Sequence, residues 1–482
     1  MTTTRFQSQD QATPTAGAPK VHVVTFGCQM NKYDSLLAEG RFRSRGYATT
    51  GSMEEADVVL FNTCSVREHA EERTYSWLGE IRREKERRPE LVIGVMGCMA
   101  QRVEEEVFRR AGHVDLVVGT REFQRLPELV DELRERRAQP GLEPAGRRIL
   151  ATDEGVEVEV DRSGEVWTGG RQAYLAVMRG CDLNCTYCIV PATRGRVRSR
   201  PIDDLVAEAR WLVDQGVQVI TLLGQTVNSY GEDFPAAVGD AERFRGRQGR
   251  PSLADLLRAL QELDGLERIR LITLHPAYLT RALAEALRDC DKVDRFLPLP
   301  AQSGSDPVLK AMKRGYTLDL YRKRIELLRS IVPDVELGSD WIVGFPGESE
   351  EDFAGSEAFL EEVGFAASYV FKYDPRPTTK SAEALPDDVS EATKKERNAR
   401  LLEVSSRVAL RRHSAHVGRV VETFLEEPCE RHPGTLRGRT VHGLALRVQA
   451  PEELLGKLVP VEVREATAYG LSGRLAAGVP AR

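Results

Sequence analysis

The 482-residue chain is short of several things, and each absence narrows what it can be. No stretch approaches the ~20 consecutive apolar residues that a membrane-spanning helix needs, so no membrane partner is expected. The first twenty residues, MTTTRFQSQDQATPTAGAPK, hold no apolar core of a secretory signal and read as a polar, disordered leader. These two absences point to the cytoplasm. Cysteine is scarce: there are eight in all, too few for a disulfide scaffold. An excess of positive charge is missing as well. Lys and Arg number 68 against 74 Asp and Glu, a net charge of −6, so global charge does not announce a nucleic-acid binder.

What is present is an ordinary folded composition, 41% hydrophobic and 29% charged. The length calls for two or three domains. Over residues 21–137 a short β-branched run is followed by a cysteine and then a helical pattern, three times. VHVVTFGC ends at Cys28, ADVVLFNTC at Cys64 and LVIGVMGC at Cys98. Strands alternating with helices predict a parallel α/β sheet, whose ligands collect beyond the carboxyl ends of the strands. All three cysteines fall at that edge. Residues 138–170, rich in Gly, Pro and Glu, read as a linker. A second strand–helix series over 171–405 predicts strands at 173–178, 219–223, 270–273, 295–299, 336–343 and 367–373. Six such units imply a partial (β/α)6 barrel with its chemistry on the loops after the strands. Residues 391–416 form a basic helical pattern. The segment 406–477 shows short Gly-punctuated strands, the signature of a small antiparallel β-barrel.

The remaining cysteines sort by spacing. In RGCDLNCTYC, Cys181, Cys185 and Cys188 follow the first strand of the second series. A zinc knuckle is the plain alternative, but structural zinc takes four ligands and no fourth Cys or His follows nearby. Three thiolates suit a [4Fe–4S] cluster that leaves one iron open. S-adenosylmethionine can chelate such an iron and be cleaved there by one electron. For Cys28, Cys64 and Cys98 the alternative is simple burial, since free cysteine is among the most buried residue types. Cys290 and Cys429 have no partner at ligand spacing and read as structural.

The cysteine triplet before a partial barrel resembles the radical S-adenosylmethionine superfamily. Seven motifs narrow the resemblance to its methylthiotransferases: GCQMNKYDS (27–35), NTCSVRE (62–68), GCMAQR (97–102), CTYCIVPATRGRVRSR (185–200), LLGQTVNSYG (222–231), QSGSDPVLKAMKR (302–314) and VGFPGES (343–349). The resemblance runs from about residue 21 to 475. It implies two [4Fe–4S] clusters, one on Cys181, Cys185 and Cys188 and an auxiliary one on Cys28, Cys64 and Cys98 that carries the inserted sulfur. It implies S-adenosylmethionine as cofactor, with Tyr187 beside it. Candidate cofactor contacts at strand ends are Gly344 and Gly347, Gln302 and Ser303, and Gln225 and Asn228; His275 stands at another strand end with no role assigned.

The implied activity is methylthiolation of N6-isopentenyladenosine at position 37, next to the anticodon of tRNA. Threonylcarbamoyladenosine or a ribosomal-protein aspartate is the alternative substrate. A reducing electron-transfer protein is an implied partner, and a monomer is expected. Two basic stretches are candidates for the RNA. One is Arg194, Arg196, Arg198 and Arg200, placed to guide phosphates. The other is the basic helix with Arg411 and Arg412, leading into a segment that resembles the RNA-binding TRAM domain.

Overall fold

The computed structural model describes residues 17–65, 68–139, 144–153, 169–235, 249–430 and 432–476. Most of the leader, parts of the proposed linker (140–143 and 154–168) and residue 477 of the last domain lie outside them. The chain forms two compact units: residues 1–169 with 189–196, and residues 170–188 with 197–482.

In the first unit the elements run β1 (Lys20–Phe26), α1 (Gln29–Ser44), β2 (Ala48–Thr49), β3 (Val58–Thr63), α2 (Glu68–Arg87), β4 (Val92–Met96), α3 (Cys98–Val103), α4 (Glu106–Arg110), β5 (Leu116–Val118), α5 (Leu126–Ala138) and β6 (Ile149–Ala151). They build one parallel sheet in the order β2-β1-β3-β4-β5-β6. Strands β3 and β4 are buried at every position, as expected of a parallel sheet covered on both faces, which is why they read as unbroken apolar runs. One face packs on Phe42, Leu126 and Leu133, the other on Leu78, Ile81 and Val107. The linker reading needs amending. Its residues 149–151 are β6, paired with β5 through Leu116↔Ile149 and Val118↔Ala151; a three-residue strand is too short to show a period.

The second unit begins with β7 (Gln172–Ala176) and the two-residue β8 (Met178–Arg179), which pairs with β9 (Arg198–Ser199). Between them lies α6 (Val190–Arg194), which belongs to the first unit. Then follow α7 (Ile202–Asp214), β10 (Val219–Leu223), α8 (Leu253–Gln261), β11 (Arg268–Leu271), α9 (Arg281–Asp289), β12 (Phe296–Pro298), α10 (Asp306–Ala311), α11 (Leu318–Ile331), β13 (Glu336–Val343), α12 (Glu350–Val363) and β14 (Ala367–Lys372). The strands form two parallel triplets, β7-β10-β11 and β12-β13-β14. Backbone bonds from Ile269 N–H to Lys292 O (2.7 Å) and from Asp294 N–H to Ile269 O (2.9 Å) join them. The result is the expected six-stranded open barrel, with β7 and β14 at its free edges.

After α13 (Lys380–Ala384), α14 (Glu391–Ser414) runs unbroken across the boundary expected near residue 406. It seals the β14 edge: Asn398 Nδ2 donates to Val370 O at 3.0 Å. The chain ends in a closed five-stranded barrel, β15 (Val420–Pro428), β16 (Thr435–Thr440), β17 (Ala445–Gln449), β18 (Leu458–Thr467) and β19 (Gly470–Leu475). β16 carries mostly polar residues (TLRGRT) and was not foreseen. The small barrel is not an outlying module. Its core takes in Ala366 and Phe296, and Val219 packs on Phe424 and Leu458.

Candidate cluster and cofactor sites

In the first unit, strand ends deliver the three cysteines as the sequence predicts. Cys28 caps α1, Cys64 follows β3 and Cys98 opens α3. Cys64 N–H donates to Phe26 O at 2.9 Å, tying two of the loops together. Gly27 and Gly97 precede two of the cysteines with φ of 154° and 101°. A Cβ on Gly27 would lie 2.7 Å from Cys64 Cβ, and one on Gly97 2.4 Å from Asn62 Oδ1, so only glycine fits. Two buried asparagines brace the loops: Asn31 Nδ2 donates to Asn62 Oδ1 (2.9 Å), and Asn62 Nδ2 donates to Asn31 O (2.8 Å) and Ser35 Oγ (2.9 Å). Cys28 Sγ lies 3.2 Å from Asn31 Oδ1.

The electrostatics favour thiolate at one corner. A hydrogen bond from Cys64 brings the Cys28 thiol down to about 6 against its burial, and the Arg194 charge adds to the lowering. Burial pushes the Cys98 thiol up, with Arg194 opposing. Among the described residues no three His, Cys, Asp or Glu side chains close around a single ion. Three cysteine thiols at one sheet edge are the donor type of a [4Fe–4S] cluster with one iron left open.

In the second unit, Cys181 and Cys185 are buried and Cys188 half-buried on the loop after β8. The loop is held down by Thr186, which donates through N–H to Met312 O and through Oγ1 to Ala311 O, both at 3.0 Å. Cys181 Sγ lies 3.6 Å from Thr226 Oγ1. The buried Arg314 donates through Nη1 to Cys185 Sγ at 3.3 Å. The guanidinium thus fixes the position of this sulfur from the far side of the loop. Tyr187 packs with Val308, Met312, Phe345 and Tyr373, and burial pushes its hydroxyl well above the ordinary range.

The other candidates separate into distinct environments. Gln225 keeps both amide atoms buried without a protein partner, as expected of a group that meets a ligand. Asn228 does not. Its amide is consumed by the His275 backbone, Nδ2 donating to His275 O and Oδ1 accepting from His275 N–H, each at 2.9 Å. Gly344 (φ 71°) and Gly347 (φ 79°) form a left-handed turn after β13. Gly344 N–H donates to Glu348 Oε2 at 2.6 Å and Gly347 N–H to Asp388 Oδ1 at 2.8 Å. Gln302 also has positive φ, 68°, and its backbone bridges to β13 beside Trp341. Ser303 is fully buried and its Oγ accepts from Ser305 N–H at 3.2 Å.

The arginines after the cysteine loop part company. Arg194 is turned inward: its side chain is 6% exposed and its Nη2 meets Asp34 Oδ2 at 2.7 Å. It cannot reach phosphate, because the first unit encloses it. Arg200 pairs with Glu208 at 2.6 Å and is mostly buried. Arg196 and Arg198 are exposed. Arg411 and Arg412 reach Glu361 (3.1 Å) and Glu336 (2.9 Å). Not foreseen were Arg314, Thr226, Asn31 and Asn62. Arg314 ends the QSGSDPVLKAMKR motif, the one signal that could have singled it out.

Comparison with known proteins agrees with this geometry. Residues 20–119 match the family described as Uncharacterized protein family UPF0004, and residues 175–360 match the Radical SAM superfamily. A radical S-adenosylmethionine methyltransferase, TsrM, from Kitasatospora setae shares the fold, with a TM-score of 0.53 and 16% identity over 76% of this chain and 75% of that one. The fold and the two cysteine sets thus define a radical S-adenosylmethionine protein with an added N-terminal α/β unit. The tRNA-2-methylthio-N6-dimethylallyladenosine synthase of Rhodopirellula baltica is 39% identical over 94% of this chain and 95% of its own. That of Syntrophobacter fumaroxidans is 40% identical over 96% and 97%. The chain belongs to the tRNA-2-methylthio-N6-dimethylallyladenosine synthase family.

Proposed function

We propose that this chain transfers a methylthio group to carbon 2 of N6-isopentenyladenosine at position 37 of tRNA. The observation that carries the reading is the pair of three-cysteine sites, one on each unit, in a chain that matches its named relatives over almost their whole length. A [4Fe–4S] cluster on each set supplies one-electron cleavage of S-adenosylmethionine at one centre and a seat for sulfur at the other.

The protein's own groups do the rest. Cys181, Cys185 and Cys188 hold the first cluster, with Arg314 and Thr226 fixing the sulfur positions. Gln225, Tyr187 and the Gly344–Gly347 turn bind and orient S-adenosylmethionine. The apolar wall of Phe345, Met312 and Tyr187 excludes water from the reacting centre. Cys28, Cys64 and Cys98 hold the auxiliary cluster, with Arg194 balancing thiolate charge. The Gly27 and Gly97 turns let the cysteine loops pack closely against Cys64 and Asn62.

Arg196 and Arg198 are proposed contacts to tRNA phosphate, with the C-terminal barrel as a second RNA surface. Arg411 and Arg412 serve chiefly to dock α14. The protein acts as a monomer in the cytoplasm, supplied by a reducing electron-transfer protein. The test is mass spectrometry of tRNA nucleosides from cells with and without the protein. The 2-methylthio nucleoside should vanish with the gene and return on complementation; an unchanged nucleoside profile would overturn the reading.

A further inference from the structure

We infer that Tyr369 and Phe371, on the last strand of the open barrel, form a stacking platform for nucleobases of the RNA substrate. The inference rests on the proposed function for its ligand, and on strand register for its geometry. β14 pairs in parallel with β13 so that Asp340 faces Tyr369, Trp341 faces Val370 and Ile342 faces Phe371. Residues paired in register share a face of the sheet, and alternate residues take opposite faces. Trp341 points toward the helical layer, where its ring meets Phe365 at 5.7 Å and Phe359 of α12 at 6.5 Å. Its neighbour Ile342 points the other way, into the apolar cluster of Phe345, Tyr373 and Tyr187 beside the Cys181–Cys188 loop. Tyr369 and Phe371 therefore lie on the concave face, continuous with the candidate cofactor site.

Their exposure is what sets them apart. Tyr369 is 65% and Phe371 39% exposed, although both stand on a strand of the barrel. Lower on the same face the equivalent ring, Phe296, is covered by the C-terminal barrel. Helix α14 meets the backbone edge of β14 at Val370, whose carbonyl accepts from Asn398 Nδ2 at 3.0 Å. Single exposed aromatics are ordinary, but two at i and i+2 make a continuous flat apolar strip. Splayed bases of a single-stranded loop stack on such rings.

The test uses the full chain with both clusters and an anticodon stem-loop carrying N6-isopentenyladenosine at position 37. Replacing both residues (Y369A with F371A) should weaken stem-loop binding and raise KM about 5- to 10-fold. Cleavage of S-adenosylmethionine without RNA should stay unchanged, and Y369F alone should behave as wild type. A stem-loop lacking the base at position 37 and its two neighbours should bind wild type and the double variant alike. A stem-loop with 2-aminopurine beside position 37 should be quenched by wild type and not by the double variant. Equal affinity, KM and quenching for wild type and double variant would overturn the inference. Quenching does not need turnover, so a wild type that binds and quenches but never methylthiolates would instead condemn the proposed activity.

Discussion

His275 shows how much of this protein is decided one residue at a time. Burial, with Arg314 nearby, holds its imidazole down to about 3, so it is neutral in the fold at any working pH. The folded value lies below the unfolded one of about 6.5, so the unfolded chain binds the extra proton between those values and stability falls as pH drops. Between pH 7.5 and 5.5 this loss should be about 1 kcal/mol, read by chemical denaturation of the apoprotein, and H275Q should remove it. Gly344 offers a second check. Its φ of 71° disfavours any side chain, and a Cβ would lie 2.3 Å from Cγ of the buried Lys394. G344A should cost about 1–3 kcal/mol and weaken S-adenosylmethionine binding, measured by denaturation and by calorimetry. The placement of the six cysteines beyond strand ends was legible because hydrophobic period and spacing announce it. Arg314 was not, because it reaches Cys185 across 129 positions of chain, and nothing local marks a guanidinium as a partner of sulfur.

Among the elements, α14 is the one whose sequence misleads. Eight basic residues against three acidic over 391–419 read as a free cationic face. Folding brings α12 and β13 against it and matches the charges: Arg397 with Glu348, Arg400 with Glu350 and Glu357, Arg407 and Arg411 with Glu361, and Arg412 with Glu336. The acidic partners are far off in sequence, so the balance is invisible until the helix docks. Most of these pairs are exposed and contribute little each. Arg397 and Glu348 are different, with side chains 6% and 0% exposed. Burial holds the Glu348 carboxyl above its usual range even with Gly344 N–H and Arg397 opposing it. R397M should therefore destabilise the fold by about 3–5 kcal/mol at pH 8 and by less at pH 6. The sign follows from a carboxyl whose folded pKa rises further: protonation rescues it at low pH, and stability falls as pH climbs. Denaturant midpoints at the two pH values give the answer. The strand and helix series was readable throughout because hydrophobic period and length agree. β6 and β16 were missed because one is too short and the other too polar to show a period.

At the scale of the whole molecule, the two units each hold one set of three cysteines, and the question is whether the sets do separate work. One open iron cannot hold both S-adenosylmethionine and the sulfur to be transferred, so the chemistry needs two sites. The C-terminal barrel cannot be used to test this by deletion. Truncation after Arg407 would strip Glu336 of Arg412 and uncover Phe296, Ala366 and Val219, so it should lower the melting temperature rather than cleanly remove RNA binding. Substitution within each set is the cleaner route. The wild type should reconstitute with about eight irons and matching sulfide, and the C28A/C64A/C98A variant with about half as many. Loss of all three thiols leaves the asparagine brace of Asn31 and Asn62 and the sheet beneath it intact, so the first unit should still fold. A cooperative thermal transition near that of the wild type checks this. Such a folded variant should still release 5′-deoxyadenosine from S-adenosylmethionine with dithionite, because Cys181, Cys185, Cys188 and Arg314 all lie in the other unit. It should make no methylthio nucleoside on tRNA. Methylthiolation by that variant would remove the sulfur-carrying role from the first unit, and loss of cleavage would show that the two sites are not independent.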